Sequence, residues 1–331
     1  MDRPRAVLAA RQAVRGALES RTVLVACSGG SDSLALALAL SAEAQSAGVS
    51  PRAITVDHGL LPGSDTRARD LVERLSALMP ARAVRIDAAG TEGPEGSART
   101  GRYAAIADEA RRLGGPALVL LGHTMDDQAE TVLMGLGRGS GPRSIAGMRP
   151  TGYLPGTTDV PYARPFLNIT RSELRQACTE WGWQWWDDPS NSSEGPWRTA
   201  DGGPLRRSAV RDRALPELSR ALGQDVRGAL ARTAGLLQED LDCLDDLAHT
   251  ALEEALDGEG LRLASLRPHH RAIRTRIIRS WLLAQGARAG ELTAWHVNAV
   301  DRLVEGETGK RIDVPGLRVR RTRDRLERHV E

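Results

Sequence analysis

The strongest constraint on this chain's fold is an alternation in its first 170 residues. Short apolar runs at 22–27, 53–57, 83–87 and 117–122 are separated by stretches at 32–45, 66–78 and 99–113, each long and amphipathic or apolar enough for a helix. Apolar runs of this length read as buried strands. Strand–helix–strand repetition builds a parallel sheet covered on both faces. The expected fold class is therefore α/β, a Rossmann-like doubly wound parallel sheet. Ligands of such sheets bind at the carboxyl ends of the strands, near the point where the strand order reverses.

Beyond Gly137 the pattern loosens. Residues 137–165 are rich in Gly and Pro, and residues 190–204 read as a mobile linker of Ser, Gly, Pro and one Trp. Helical periodicity returns over 206–256, 268–285 and 293–304, and Pro315-Gly316 within 310–321 marks a short hairpin. Two domains are expected: 1–204, a sheet domain ending in the linker, and 205–331, a mainly helical domain with a C-terminal hairpin. A chain of 331 residues is long enough for both.

Composition excludes several classes. No apolar run approaches the roughly 18 residues that a membrane span needs, so no membrane association is expected. The start of the chain lacks the pattern of a secretory signal, which makes the cytoplasm the expected location. Cys27, Cys178 and Cys243 form no C-x-x-C pair. That disfavours a disulfide framework, a zinc ribbon and sulfur-relay chemistry. The net charge is only +2, but residues 261–290 hold seven Arg, two His and no acid, and residues 311–328 hold seven Arg against three acids. Charge of this kind suits either a polyphosphate backbone or a solvated helix face. Arg274 and Arg276 are the candidates for nucleic-acid contact. Lys310 is the chain's single lysine.

The chemistry is most legible in Ser28-Gly29-Gly30-Ser31-Asp32-Ser33, after one apolar run and before a helix. Glycines let the backbone turn tightly. Successive N–H groups at a helix start make a nest for an anion, and the serine hydroxyls add donors. The segment is neither a Walker A loop nor G-x-G-x-x-G. An N-cap at Ser31 would explain one serine and one acid, but not two glycines and three serines together.

S-G-G-x-D-S in this place resembles the signature of the N-type ATP pyrophosphatases. The resemblance implies that Ser28, Gly29, Gly30, Ser31 and Ser33 hold the pyrophosphate of ATP, and that Asp32 helps bind Mg2+. Four further segments, in order, are similar to the tRNA(Ile)-lysidine synthetase family. They are Asp57-His58-Gly59-Leu60; Ala98-Arg99-Thr100-Gly101-Arg102-Tyr103; Gly122-His123-Thr124-Met125-Asp126-Asp127-Gln128-Ala129-Glu130-Thr131 running into Arg138-Gly139-Ser140-Gly141; and Arg164-Pro165-Phe166-Leu167, Thr170-Arg171-Ser172-Glu173-Leu174 and Asp188-Pro189-Ser190-Asn191. Gly122 replaces the family's alanine. Ser208, between Arg207 and Arg211, replaces the asparagine of the family's R-N-x-x-R. The resemblance covers roughly residues 20–215 well and is loose beyond.

Read without the family, these segments have plainer uses. Thr124 and Asp127 suit a capping box. Arg99 and Arg102, three apart, share a helix face. Trp181, Trp183, Trp185 and Trp186 suit a core, or at longer odds a base stack. The resemblance implies more: adenylation of the wobble cytidine of the isoleucine tRNA with anticodon CAU, then attack by free L-lysine. His123 and Asp127 would position and activate the cytosine. Glu130, with Asp32 as second choice, would take the lysine ammonium, and Arg207 or Arg211 the developing phosphate charge. Asp57 and His58 would border ATP, and Arg99 and Arg102 a phosphate or carboxylate. A homodimer is compatible with the sequence. The rivals are a tRNA thiolase of the same superfamily and a non-catalytic tRNA-binding relative.

Overall fold

A computed structural model of the chain describes residues 5–18, 22–59, 61–86, 93–115, 117–139, 141–189, 192–199 and 201–329. Leu60, Asp87, Ser140, Ser190 and Asn191, named in the motifs and runs above, lie outside the described residues. The chain forms two compact units, Met1–Gly235 and Leu236–Glu331. The division falls inside a long helix, α10 (Val226–Ala255), past the boundary expected at 204/205.

In the first unit, α1 (Arg5–Arg15) precedes β1 (Thr22–Ala26), α2 (Ser31–Ala47), β2 (Ser50–Asp57), α3 (Ser64–Ser76), β3 (Ala81–Arg85), α4 (Gly93–Arg112), β4 (Leu118–Leu121), α5 (Met125–Arg138), α6 (Pro142–Ile145), β5 (Thr151–Tyr153), β6 (Pro161–Ala163) and α7 (Arg171–Glu180). The strands order as β3-β2-β1-β4-β6-β5. All neighbours pair in parallel except β5 with β6. The order reverses between β1 and β4, where Val25 faces Ala53 on one side and Leu120 on the other. Ligands of such sheets bind beyond the carboxyl ends at this reversal.

Alternating side chains divide the sheet's two faces. Val23, Val25, Leu118 and Leu120 join a core with α2, α3 and α7. Leu24, Val119 and Leu121 join a second core with α4. Both faces are therefore covered, and the sheet is doubly wound. β3 departs from expectation. Its run reads as apolar, yet it lies at the sheet edge with most of its residues at least partly exposed.

Residues 34–40 of α2 are buried on every side, as suits a helix apolar all round. It packs against α1 and α7. Its one buried charge, Glu43, is fully enclosed and clamped by Arg11 Nε at 2.5 Å and Arg15 Nε at 2.6 Å from α1. The helix that begins in the glycine–serine loop is thus locked along its length. After residues 201–205 come α8 (Arg206–Ala209), a π-helical turn (Val210–Ala214) and α9 (Leu215–Leu222), all within the first unit.

The second unit adds β7 (Leu256–Asp257), β8 (Gly260–Arg262), α11 (Leu263–Leu266), α12 (Arg271–Ala284), α13 (Ala294–Leu303), β9 (Arg311–Val314), β10 (Leu317–Arg321) and β11 (Arg325–His329). The expected hairpin is β9–β10, and it forms one edge of a five-stranded antiparallel sheet ordered β7-β8-β11-β10-β9. Helices and sheet share a core of Ile277, Ile278, Trp281, Val300, Val319 and Leu326. Trp281 Nε1 satisfies its polarity by donating to the Glu259 carbonyl at 2.8 Å. Lys310 pairs with Glu307 at 3.3 Å.

Candidate active site

The loop after β1 is shaped by its own serines. Ser33 Oγ accepts from the Ser28 N–H at 3.0 Å and donates to the Gly30 carbonyl at 3.1 Å. Gly29 has φ of +86°, and a Cβ there would meet Leu71 Cδ2 at 3.3 Å, so the turn needs glycine. The Trp186 N–H donates to the Gly29 carbonyl at 3.0 Å, tying the segment before Asp188-Pro189 to the loop. The cap position of α2 is Gly30, without any side-chain cap, and the Ser31 hydroxyl donates instead to Asp32 Oδ1 at 2.9 Å. The capping explanation for Ser31 fails, and among the described residues no side chain caps the first-turn N–H groups that an anion would use.

The end of β4 lies against this loop. A Cβ at Gly122 would meet the Ser33 Cα at 3.0 Å, so glycine allows the close approach. Thr124 and Asp127 form the expected capping box of α5. The following residues divide their work. Asp126 accepts from the Arg171 N–H at 2.8 Å and from Arg227 Nη1 at 2.9 Å, joining the starts of α5, α7 and α10. Gln128 pairs its amide with both backbone groups of Met148, at 2.6 and 2.9 Å. Glu130 is fully buried and turns toward arginines.

Those arginines come from two segments. Arg171, at the start of α7, reaches Asp32 Oδ2 at 3.0 Å, Asp127 Oδ1 at 3.3 Å and Glu130 Oε1 at 3.8 Å. Arg211, in the π-helical turn, grips Glu130 at 2.6 and 3.1 Å. Arg207 donates to Thr131 Oγ1 at 2.9 Å, and its Nε lies 3.3 Å from Glu130 Oε2. Their four-residue spacing puts Arg207 and Arg211 on one helical face. Ser208, buried between them, does not withdraw either from the cluster. π-helical turns recur at functional sites.

The carboxylates respond differently. Burial pushes Asp32 up, against the opposing pull of Arg171. Burial likewise pushes Glu130 up, against Arg211. At Asp127 burial acts upward too, but Arg171, His123 and the Thr124 N–H together hold it below the usual carboxylate range. Three acids within one cluster are thus poised apart, the arrangement acid–base chemistry uses. Burial drives the His123 imidazole down to about 3, so it is neutral. Arg164 Nε donates to His123 Nδ1 at 3.1 Å, which leaves the ring proton on Nε2. Arg164 is itself buried, stacks on Tyr162 at 4.2 Å and donates to the Arg149 carbonyl at 2.7 Å.

The other expected residues sit as follows. Asp57, at the end of β2, accepts from the Gly59 N–H at 2.9 Å. The Nδ1 of His58 is buried without a hydrogen-bond partner among the described residues. Arg102 lies near enough to His58 and His123 for its charge to lower both. Arg99 and Arg102 each stand 5.4 Å from the Tyr103 ring, with Arg99 exposed. Arg274 and Arg276 belong to the second unit, and both are engaged there. Arg274 holds Asp301 at 2.5 Å and Arg276 holds Asp245 at 3.0 Å. Trp181, Trp183 and Trp185 pack against the first core. Arg74 lies over Trp183 at 4.9 Å and Arg67 over Trp186 at 4.7 Å.

Arg164, Arg171 and Arg227 are the site residues that motif reading did not assign. Arg164 and Arg171 stand inside segments already singled out, but only the fold shows which acids they meet. The cysteines carry no reactive character near the loop. Burial raises the Cys27 thiol, and it pushes Cys178 up to about 12.

The site fits a nucleotide. Among the described residues Arg207 Nε, 3.3 Å from Glu130 Oε2, is a second buried polar atom of the site with no hydrogen bond, and the start of α2 carries no side-chain cap. Among the described residues no group of three potential metal ligands is gathered. Asp32 alone suits a magnesium ion held chiefly by phosphate oxygens.

Comparison with known proteins accords with this geometry. A family model described as a PP-loop domain matches residues 5–217. A second, the TilS substrate binding domain, matches residues 261–327. The tRNA(Ile)-lysidine synthase of Streptomyces coelicolor is 47% identical over 90% of this chain and 82% of its own length. This chain belongs to the tRNA(Ile)-lysidine synthase family. The family's proteins from Thermobifida fusca and Salinispora tropica are 44% and 42% identical, over 96% and 97% of this chain and 94% and 95% of theirs. Among solved structures, the U34-tRNA thiolase NcsA from Methanococcus maripaludis with its [4Fe-4S] cluster matches with a TM-score of 0.53. It is 19% identical over 70% of this chain and 79% of that one, a likeness of fold alone.

Proposed function

We propose that this chain adenylates the wobble cytidine of the CAU-anticodon isoleucine tRNA with ATP and then joins L-lysine to it. The observation that supports this best is the placing of an uncapped glycine–serine loop beside a buried cluster of three carboxylates and three arginines. The loop receives the leaving pyrophosphate through backbone N–H groups at the positive end of α2. The cytosine O2 attacks the α-phosphate, forming the O–P bond as the bond to pyrophosphate breaks. The lysine ε-amine then attacks C2, forming the C–N bond and expelling AMP.

In this reading His123, neutral and protonated on Nε2, offers a hydrogen bond to the flipped base without adding charge. Asp127, the carboxylate held ionised, orients the base from the start of α5. Arg207 and Arg211 stabilise charge that develops on the phosphate. As they turn to phosphate they release Glu130, which then accepts the lysine ammonium. The neutral amine needs a proton acceptor, and Glu130 and Asp32, both pushed up by burial, are nearer to that task than an exposed carboxylate. A magnesium ion, held by Asp32 and the nucleotide's phosphates, would supply charge neutralisation there. Asp57, His58, Arg99 and Arg102 line the approach from the β2 side.

Thiolase chemistry is less well supported. Cys27 and Cys178 are buried with raised pKa, and the exposed Cys243 belongs to the second unit. The test is incorporation of labelled lysine into the CAU isoleucine transcript, with release of AMP and pyrophosphate. Pyrophosphate release without lysine incorporation would point to another nucleophile. Tight tRNA binding with no ATP turnover would favour a non-catalytic relative.

A further inference from the structure

Trp295 is the most exposed of the large hydrophobic side chains among the described residues, at 66%. It stands in the first turn of α13, whose start is held by a capping box between Thr293 and His296. The helix does not need it for packing, because Val297, Val300 and Leu303 supply the buried face. Nor does the ring lie flat on a neighbour. Its ring contact is edge-on to His296, at 5.2 Å and 83°. A large ring left two-thirds exposed on a capped helix start costs solvation and is not needed for the packing of its helix.

The surroundings are polar in one sense. Positions 295, 298 and 302 follow the three- and four-residue spacing of one helical face. Asn298 accepts from Arg271 of α12 at 2.8 Å, which brings a 62% exposed guanidinium alongside. Arg302 is exposed and makes no ion pair among the described residues. The nearby acids are already matched: Asp301 by Arg274, Glu291 by Arg288 and Glu305 by Arg267. The face therefore presents an exposed aromatic ring in the first turn, followed along the helix by a half-committed cation at Asn298 and, at 302, one with no ion pair among the described residues. By helical rise, Arg302 stands roughly 10 Å along the axis from Trp295, within reach of a phosphate one or two nucleotides away.

We propose that this face of α13 binds an unpaired nucleotide of the tRNA, with the base stacked on Trp295 and successive phosphates on one side of it held by Arg271 and Arg302. It rests on the reading of the chain as a tRNA-modifying enzyme and adds a contact in the second unit. Stacking on an aromatic ring suits single-stranded segments of RNA, whose bases are free to splay outward. A polyphosphate chain accounts for the cations, and a base accounts for the ring. A protein partner would account for the ring alone.

The test uses the full chain and the CAU isoleucine tRNA transcript, with binding measured over a range of salt. Trp295→Ala should weaken binding at least roughly fivefold without changing the salt slope, because stacking releases no counterions. Trp295→Phe should stay within about twofold of the parent, which guards against a folding defect in the alanine variant. Arg302→Ala should lower the slope of log affinity against log salt by about one. Equal tRNA affinity in Trp295→Ala and the parent would overturn the inference. So would a loss of self-association in Trp295→Ala with tRNA affinity unchanged, which would assign the face to a second copy of the chain. Lysine incorporation by the parent separates the two levels. If the parent incorporates lysine and Trp295→Ala binds normally, the enzyme reading stands and this contact falls. If the parent incorporates none but Trp295→Ala loses binding, the contact stands and the enzyme reading falls.

Discussion

Both units pair arginines with carboxylates, yet they do so in opposite ways. Between the helices of the second unit each acid has one principal arginine. Asp301 faces Arg274 and, more distantly, Arg271, while Asp245 faces Arg276, and each pair joins neighbouring helices. In the first unit Arg171, Arg207 and Arg211 converge on Asp32, Asp127 and Glu130, and several of these groups have more than one opposite charge. Separate pairs fasten helices. A shared cluster leaves each group with alternatives, so a ligand can replace one partner without stranding another. The same residue types thus make a fastening in one place and a receptive site in the other.

Arg171 is the most demanding test of this contrast. Its removal leaves two buried acids, Asp127 and Glu130, and the half-buried Asp32 short of a counter-ion, and Arg171→Ala should lose about 3 kcal/mol in urea unfolding. Turnover should fall more than roughly 100-fold, with Arg171→Lys recovering only part of it. Near-parental stability in Arg171→Ala would show that the cluster is not shared at all. Asp127→Asn and Glu130→Gln come next, each expected to cost roughly 100-fold in lysine incorporation while the fold persists. Parental turnover in both would remove the catalytic role from α5.

A pH series sharpens the picture of His123. The imidazole is held at about 3, below its usual 6.5, so the unfolded chain binds more protons between those values. Its contribution is therefore complete above about pH 6.5 and is lost as pH falls toward 3. His123→Gln should lose less stability than the parent between about pH 7 and about pH 4. Identical acid limbs would place the destabilising titration elsewhere.

In the second unit, Arg274→Ala should cost about 2 kcal/mol, because Asp301 is buried, and Arg276→Ala about 0.5–1 kcal/mol, because Asp245 is partly exposed. The double variant should be additive within about 0.5 kcal/mol, whereas Arg171→Ala with Arg211→Ala should not be. Strong coupling between Arg274 and Arg276 would erase the distinction. The smallest effect is expected at Gly122→Ala, where the α2 backbone must yield a few tenths of an ångström. Turnover there should fall no more than roughly threefold.

What the sequence made legible was local. The apolar runs, the glycine–serine loop and the Thr124–Asp127 box are each written within a few residues, and all but the run at 83–87, whose strand is Ala81–Arg85, appear where expected. Asp127 and Glu130, three apart on α5, were bound to share a side. Non-local partners were not legible. Nothing near Arg171 in the chain announces Asp32, which lies 139 positions away. Arg164 gives no hint of His123, nor Arg227 of Asp126. β3 misled because apolar character does not reveal edge position, which depends on what pairs alongside. The sheet of the second unit was only half visible, since β7 and β8 are two and three residues long and too short to show a period.

The thiols offer a use of their own. Cys27 and Cys178 sit on either side of the phosphate loop, buried and protonated, with Cys27 Sγ 3.8 Å from Ser33 Oγ and Cys178 Sγ 3.4 Å from the Ser31 carbonyl. Cys243 is exposed and will react with an alkylating reagent at once. The other two can be trapped only when the loop and its helix part, so their slow alkylation is a built-in clock for local opening. Bound ATP should slow that clock without touching the fast phase, giving a nucleotide-occupancy readout from an unmodified chain with no tRNA present.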